Sequence, residues 1–239
     1  MNIVISKNPQ ELGKKAAKHT AELLNKAISE KGSARIVLST GASQFDTLKE
    51  LVKQDVDWSK VEMFHLDEYV NLSESHPASF RKYLKERFVQ QVPLKKAWFV
   101  NGEGDVQKNI QELTDAIRQA PIDVALIGIG ENAHIAFNDP PADFDTKEAY
   151  IVVTLDDDCK KQQVREGWFP TTDDVPKQAI SMSVYQIMQS KVIISCVPYE
   201  VKAKAVKATL ENDTTNRIPA TILKEHPDFT LYIDEDSAS

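Results

Sequence analysis

Apolar positions along the chain fall into two alternating rhythms, one of short continuous runs and one of residues returning every three or four positions. The first long stretch, residues 9–31, carries Leu12, Ala16, His19, Leu23, Leu24, Ala27 and Ile28 at helical spacing with charges between them, and Gly32 is placed to stop it. Ala34–Ser39 then reads as a core strand, followed by a small, hydroxyl-rich turn, Ser39–Gln44, and a helix with Phe45, Leu48 and Leu51 on one face. Val61–Leu66 is the next strand. Residues 77–91, opening at Pro77 and aligning Phe80, Tyr83, Leu84 and Phe88, form a helix. Lys96–Val100 is a short strand, and Val106–Arg118 a further amphipathic helix with Ile110, Leu113 and Ile117 aligned. Val124–Ile129 is a β-branched run bounded by glycines, as expected of a strand buried on both faces of a parallel sheet.

The second half repeats the rhythm. Tyr150–Leu155 and Lys191–Val197 read as strands, a helix opens at Pro198, Pro219–Leu223 is a short helix, and Phe229–Asp234 closes the pattern as a strand. Between them, residues 156–176 run acidic, then basic, then through Trp168-Phe169-Pro170, and read as an ordered surface loop that is either a lid or a long connection. Strands alternating with helices predict an α/β fold: a single doubly wound, mostly parallel sheet flanked by helices, Rossmann-like, over one domain spanning residues 1–239.

Candidate chemistry collects where strands end. In open α/β sheets ligands bind at the carboxyl edge of the strands. There, Val124–Ile129 runs into Gly128-Ile-Gly130 and then Glu131, Asn132, His134, Asn138 and Asp139. The strand at Val61 ends in Asp67-Glu68, and one carboxylate desolvated at such an edge suits a general base, although an isolated Asp-Glu pair is more often a solvated turn. Ser39-Thr40-Gly41-Ala42-Ser43 opens a helix, a position where free N–H groups attract an anion such as phosphate. Lys202 follows a fourth strand, on a helix where lysines usually face water. Together these are the parts for proton transfer on a phosphorylated small molecule.

Composition narrows the field. A net charge of −7 disfavours nucleic acid and anionic membrane surfaces as partners, no apolar run reaches the roughly 20 residues of a membrane span, and Met1–Ser6 lacks the order of a signal peptide, so a cytoplasmic protein is expected. Cys159 and Cys196 lack metal-ligand spacing and read as ordinary thiols. The Gly128/Gly130 pair lacks the third glycine of a dinucleotide fingerprint, and no Walker-type loop is present.

Gly128-Ile-Gly-Glu-Asn-Ala-His-Ile-Ala-Phe-Asn-Asp-Pro140, Leu66-Asp-Glu-Tyr-Val70, Ser39-Thr-Gly-Ala-Ser43, Lys202-Ala-Lys-Ala-Val206 and Ile233-Asp-Glu235 resemble the glucosamine-6-phosphate deaminase (isomerase) family across almost the whole chain. The resemblance implies an enzyme that converts glucosamine 6-phosphate and water to fructose 6-phosphate and ammonia with no metal and no organic cofactor. His134 would open the sugar ring, Asp67 would carry the proton from C2 to C1, and Asp139 would support His134. Ser39, Thr40, Gly41, Ala42, Ser43 and Lys202 would hold the phosphate, with Arg165 as a second basic ligand. Asn132 and Asp139 stand where well-studied members carry aspartate and glutamate. Asn132 can fix the tautomer of His134 but brings no charge, which leaves the exact sugar phosphate open. Tyr150–Thr154 is apolar where allosteric members carry basic residues, so no such effector site is expected. A related isomerase or 6-phosphogluconolactonase on the same fold, and a non-catalytic sugar-phosphate sensor, stand as alternatives. An oligomer is compatible with the sequence.

Overall fold

A computed structural model describes all of residues 1–239. Its centre is a seven-stranded sheet, every pair of neighbours parallel. Numbered along the chain, β1 (Asn2–Ser6), β2 (Ala34–Leu38), β3 (Val61–His65), β5 (Lys96–Trp98), β6 (Val124–Leu126), β9 (Val192–Val197) and β10 (Phe229–Asp234) take the order β1-β10-β9-β6-β2-β3-β5. The remaining strands, β4 (Asp67–Tyr69), β7 (Tyr150–Thr154) and β8 (Gln178–Met182), form a separate antiparallel sheet in the order β4-β8-β7.

Side-chain alternation along the parallel strands divides the core into two layers. Ile36, Leu38, Met63, Val124, Leu126, Ile194 and Cys196 pack under α1 (Pro9–Lys31), α2 (Phe45–Leu51) and α3 (Phe80–Leu84). Val37, Phe64, Ala125, Ile127, Ile193 and Val197 pack on the other face, under α4 (Val106–Ile117) and α7 (Ala203–Glu211). α1 begins at Asn8, whose side chain caps the Glu11 N–H, and stops at Gly32, where φ is 78°.

The small sheet departs from the expected single sheet. Tyr150–Thr154 is a strand as read, but it pairs antiparallel with β8, which carries no clear alternation in Gln178-Ala-Ile-Ser-Met182 and was not foreseen. β1, α5 (Asp157–Arg165) and α6 (Val184–Met188) were also not foreseen. Residues 156–176 are thus not a structureless loop. Asp156 caps α5 by accepting from the Cys159 N–H, and a short 3-10 turn follows at Thr172–Asp174. The helix expected over 77–91 starts at the Ser79 cap and continues past Leu84 as a π-helical turn, Lys85–Val89.

β2 and β6 lie side by side, yet the chain leaves β2 towards β3 on one side and β6 towards β9 on the other. This is the switch point of the sheet, where two loops part and a crevice opens at the carboxyl edge.

Candidate active site

The crevice at the switch point is a cleft open to solvent on one side. Its floor is Ser39–Ser43 from the end of β2 and Gly128–Gly130 from the end of β6; Leu66 and Asp67, His134, and Lys202 supply its walls, and Gln162, Gln163, Glu166 and Trp168 close it from the α5 side. The four separate strand ends singled out in the sequence therefore meet in one place.

Asp67 sits where the chain passes from β3 into β4 and changes sheets. Alternation along β4 turns Asp67 and Tyr69 to one side and Glu68 to the other. Glu68, fully buried, accepts from the N–H groups of Tyr69, Phe80 and Arg81, from the Ser79 hydroxyl and from Arg81 Nε. It is a structural carboxylate. Asp67 is only 6% exposed and takes no hydrogen bond from the protein, and burial, with the Glu68 charge beside it, holds its carboxyl well above the usual range. Neither acid is the solvated turn that an isolated Asp-Glu suggests.

His134 lies in a loop that bends sharply on both sides, with Ala133 and Ala136 at φ 64° and 52°. Its ring packs flat on Gly130: a Cβ there would fall 2.2 Å from the imidazole, so only glycine fits. Nδ1 lies 2.5 Å from Asn132 Oδ1 and 3.2 Å from Asp139 Oδ1. Both partners are acceptors, so the network places the proton on Nδ1 and leaves Nε2 as the free nitrogen of the ring. Asp139 is desolvated, which raises its carboxyl, but bonds from His134, the Asp156 N–H and Asn132 outweigh burial and hold it below the usual range. The charge that Asn132 lacks is thus supplied to the same nitrogen by Asp139.

The acid and the histidine are aligned by β8. Asp67 pairs with Ser181, and the Ser181 hydroxyl accepts the N–H of Phe137, while Asn138 Nδ2 donates to the carbonyls of Ile135 and Met182. A second histidine, His65, is a core residue: its Nδ1 accepts the Val100 N–H, and burial, with the Arg81 charge, pushes it down to about 3.

At the opposite end, Gly41 has φ 99°, a left-handed conformation that suits glycine, and the 3-10 turn Ala42–Gln44 follows. The Tyr83 hydroxyl donates to the Gly41 carbonyl, and Gln44 Nε2 to Ser43 Oγ and the Cys196 carbonyl, fixing the turn. Lys202 ends another 3-10 turn, entered through Tyr199 at φ 83°. That tuck buries Lys202 to 5% exposure, in place of the solvated position typical of helical lysines. It has no ion-pair partner within 4 Å; burial pulls its ammonium down, and Glu166 partly opposes this. A desolvated cation without a counterion faces an N–H-rich turn, a combination suited to a phosphate.

Arg165 does not line the cleft, although its charge reaches Lys202 and adds to the lowering of that ammonium. It lies on the last turn of α5, largely exposed and paired with Glu131, while Gln162 and Glu166 take the inward face. Gln162, Gln163, Glu166 and Trp168 were missed by sequence reasoning; the capping aspartate at 156 was the available signal that this stretch is a helix with an inner face. As to metals, the donor atoms of His134, Asp139 and Cys159 lie within 4.8 Å of one another. Nδ1 is already shared by Asn132 and Asp139, and burial pushes the Cys159 thiol up, away from the thiolate a metal requires.

Fold and cleft define a parallel α/β protein whose switch-point crevice carries a buried lysine and a glycine-bearing turn at one end and a carboxylate and an imidazole at the other. Residues 7–231 match the family model described as glucosamine-6-phosphate isomerases/6-phosphogluconolactonase. The glucosamine-6-phosphate deaminase of Lactobacillus delbrueckii subsp. bulgaricus is 35% identical over 240 residues, covering 100% of this chain and 99% of the relative. A solved monomeric glucosamine-6-phosphate deaminase superposes with a TM-score of 0.91 at 30% identity, covering 100% of this chain and 99% of that one. A 6-phosphogluconolactonase from Shewanella baltica, at 18% identity and a TM-score of 0.80 over 98% of this chain and 97% of its own, shares the fold. The chain belongs to the glucosamine-6-phosphate isomerase/6-phosphogluconolactonase family.

Proposed function

We propose that the protein converts glucosamine 6-phosphate and water to fructose 6-phosphate and ammonia. The observation that carries this reading is the pairing, within one cleft, of an uncompensated buried ammonium with a desolvated carboxylate and an oriented imidazole. Lys202 and the Thr40–Ser43 turn hold the phosphate, which fixes the sugar along the cleft. His134, its Nδ1 anchored by Asn132 and Asp139, exchanges a proton between Nε2 and the ring oxygen and so opens the ring. Asp67 takes the C2 proton and returns it at C1, leaving an imine at C2 that water hydrolyses with release of ammonia.

A carboxylate with a raised pKa suits abstraction of a weakly acidic C–H proton better than an ordinary one. The ionic substrate does not cross a membrane unaided, which supports a role in cytoplasmic amino-sugar catabolism. Incubation with glucosamine 6-phosphate should yield ammonia and fructose 6-phosphate in equal amounts. Binding without either product would instead favour a sugar-phosphate sensor.

A further inference from the structure

The α5 side of the cleft holds an amide whose orientation is dictated by a tyrosine that does not itself line the cleft. Tyr69 is fully buried, its ring enclosed by Phe80, Phe137 and Phe169 at centroid distances of 5.0, 5.2 and 5.3 Å. The one partner of its hydroxyl is Gln163 Oε1, at 2.8 Å. If the amide were flipped, its NH2 would donate to the tyrosine oxygen and the phenolic proton would be left buried without an acceptor among apolar rings, which is unfavourable. Tyr69 therefore holds Oε1, and Gln163, which lines the cleft, keeps its Nε2 free of any hydrogen bond to the protein.

The other side-chain N–H groups of the α5 wall are engaged with Glu166, the Gln162 amide through one of its two. Gln162 Nε2 and the Trp168 indole each donate to Glu166, and Gln162 Oε1 accepts the Glu131 N–H. Lys202 stands at the anion end. Gln163 is thus the side-chain amide of this wall whose orientation is fixed through its oxygen while neither N–H is bonded to the protein.

A sugar hydroxyl can donate or accept, so it would be served by either end of an amide and gives no reason to fix one. An acceptor that cannot donate does give such a reason. When Asp67 removes the C2 proton of the open-chain sugar, the C2–H pair becomes the C1–C2 double bond and the C1=O1 π pair moves onto O1, which becomes an oxyanion. We infer that Gln163 Nε2 donates to O1 as this charge develops, and that Tyr69 is the positioning residue that keeps the donor turned towards it. The inference rests on the proposed deaminase reading.

The test uses Gln163→Met, which keeps side-chain length and packing but has no N–H, and Tyr69→Phe, which leaves Gln163 in place. With glucosamine 6-phosphate, Gln163→Met should lower kcat about 100-fold, within the range for loss of one oxyanion donor, with KM changed less than about threefold. Tyr69→Phe should lower kcat in the same direction by less, and should add nothing in the Gln163→Met background. The thermal shift given by inorganic phosphate should be the same in all four proteins. The inference is overturned if Gln163→Met keeps kcat within about threefold, if Tyr69→Phe acts undiminished in the double variant, or if the phosphate shift and KM collapse together with kcat, which would make the pair a packing element. Failure of the wild type to release ammonia would instead sink the deaminase reading.

Discussion

Two histidines and two adjacent carboxylates show how little residue type alone decides. His65 and Glu68 are bound by the frame, whereas His134 and Asp67 are left with a free face in the cleft. For Asp67 this has a measurable cost. Its raised carboxyl means that folding favours the protonated form, so its contribution to stability is fully present below the unfolded carboxylate range and is lost as pH rises through the raised value. As pH rises above that range Asp67 therefore opposes folding. Asp67→Asn should raise Tm at pH 7, with a smaller gain near pH 4, as read by calorimetry at both values. The same variant should lose about 10²–10⁴ in kcat and stop C2–H exchange with solvent while still binding sugar phosphate. Retained exchange would remove Asp67 from the base role. Which carboxylate of the pair reaches the cleft was not legible from residue types; it follows from the alternation of β4, which sends Glu68 to Arg81 and Asp67 to the cleft.

Among elements, the small antiparallel sheet carries the site's alignment and was the least legible part. The parallel strands announced themselves because burial on both faces demands unbroken apolar runs. β8, by contrast, is buried by its partners β4 and β7 and by the histidine loop, contacts that come from distant parts of the chain and leave little local signature. Similarly, α5 is highly polar, and its inner face is Gln162, Gln163 and Glu166, so no apolar stripe marked it. Behind β4, the Glu68–Arg81 pair ties β4 to α3, and Arg81 also reaches Asn101, Glu103 and the Leu72 carbonyl. Arg81→Met would leave Glu68 buried without its counter-charge. A loss of about 3–5 kcal/mol is expected, or about 6–20 °C in Tm. A change within 2 °C would show that the backbone N–H groups alone satisfy Glu68.

For the molecule as a whole, the sheet order places Lys202 and the Ser39–Ser43 turn against the centre of the fold, so a phosphate bound there should report on global unfolding. Burial of Lys202 disfavours its charge in the folded state, and a bound phosphate relieves this. At a phosphate concentration of about 100 Kd the folded state gains about 2.7 kcal/mol, or about 5–10 °C in Tm for a chain of this size. Lys202→Met should abolish that shift and, without phosphate, should melt no lower than the wild type. A phosphate shift that survived in Lys202→Met would move the anion site elsewhere. The sheet order was legible only as far as its parallel class. β1, an edge strand with Ile3 and Ile5 exposed, was overlooked because its partner β10 lies at the far end of the chain.

That Asp67 registers on Ser181 has a consequence for how the enzyme comes into being. More than a hundred residues separate base from rail, and Lys202 comes later still. During synthesis β3 and β6, the strands that lead to Asp67 and to the His134 loop, can join β2 in the parallel sheet well before β8 exists to pair with Asp67. A nascent or prematurely ended chain thus carries both proton carriers and no geometry between them, so catalysis arrives as a single late event in the life of the polypeptide.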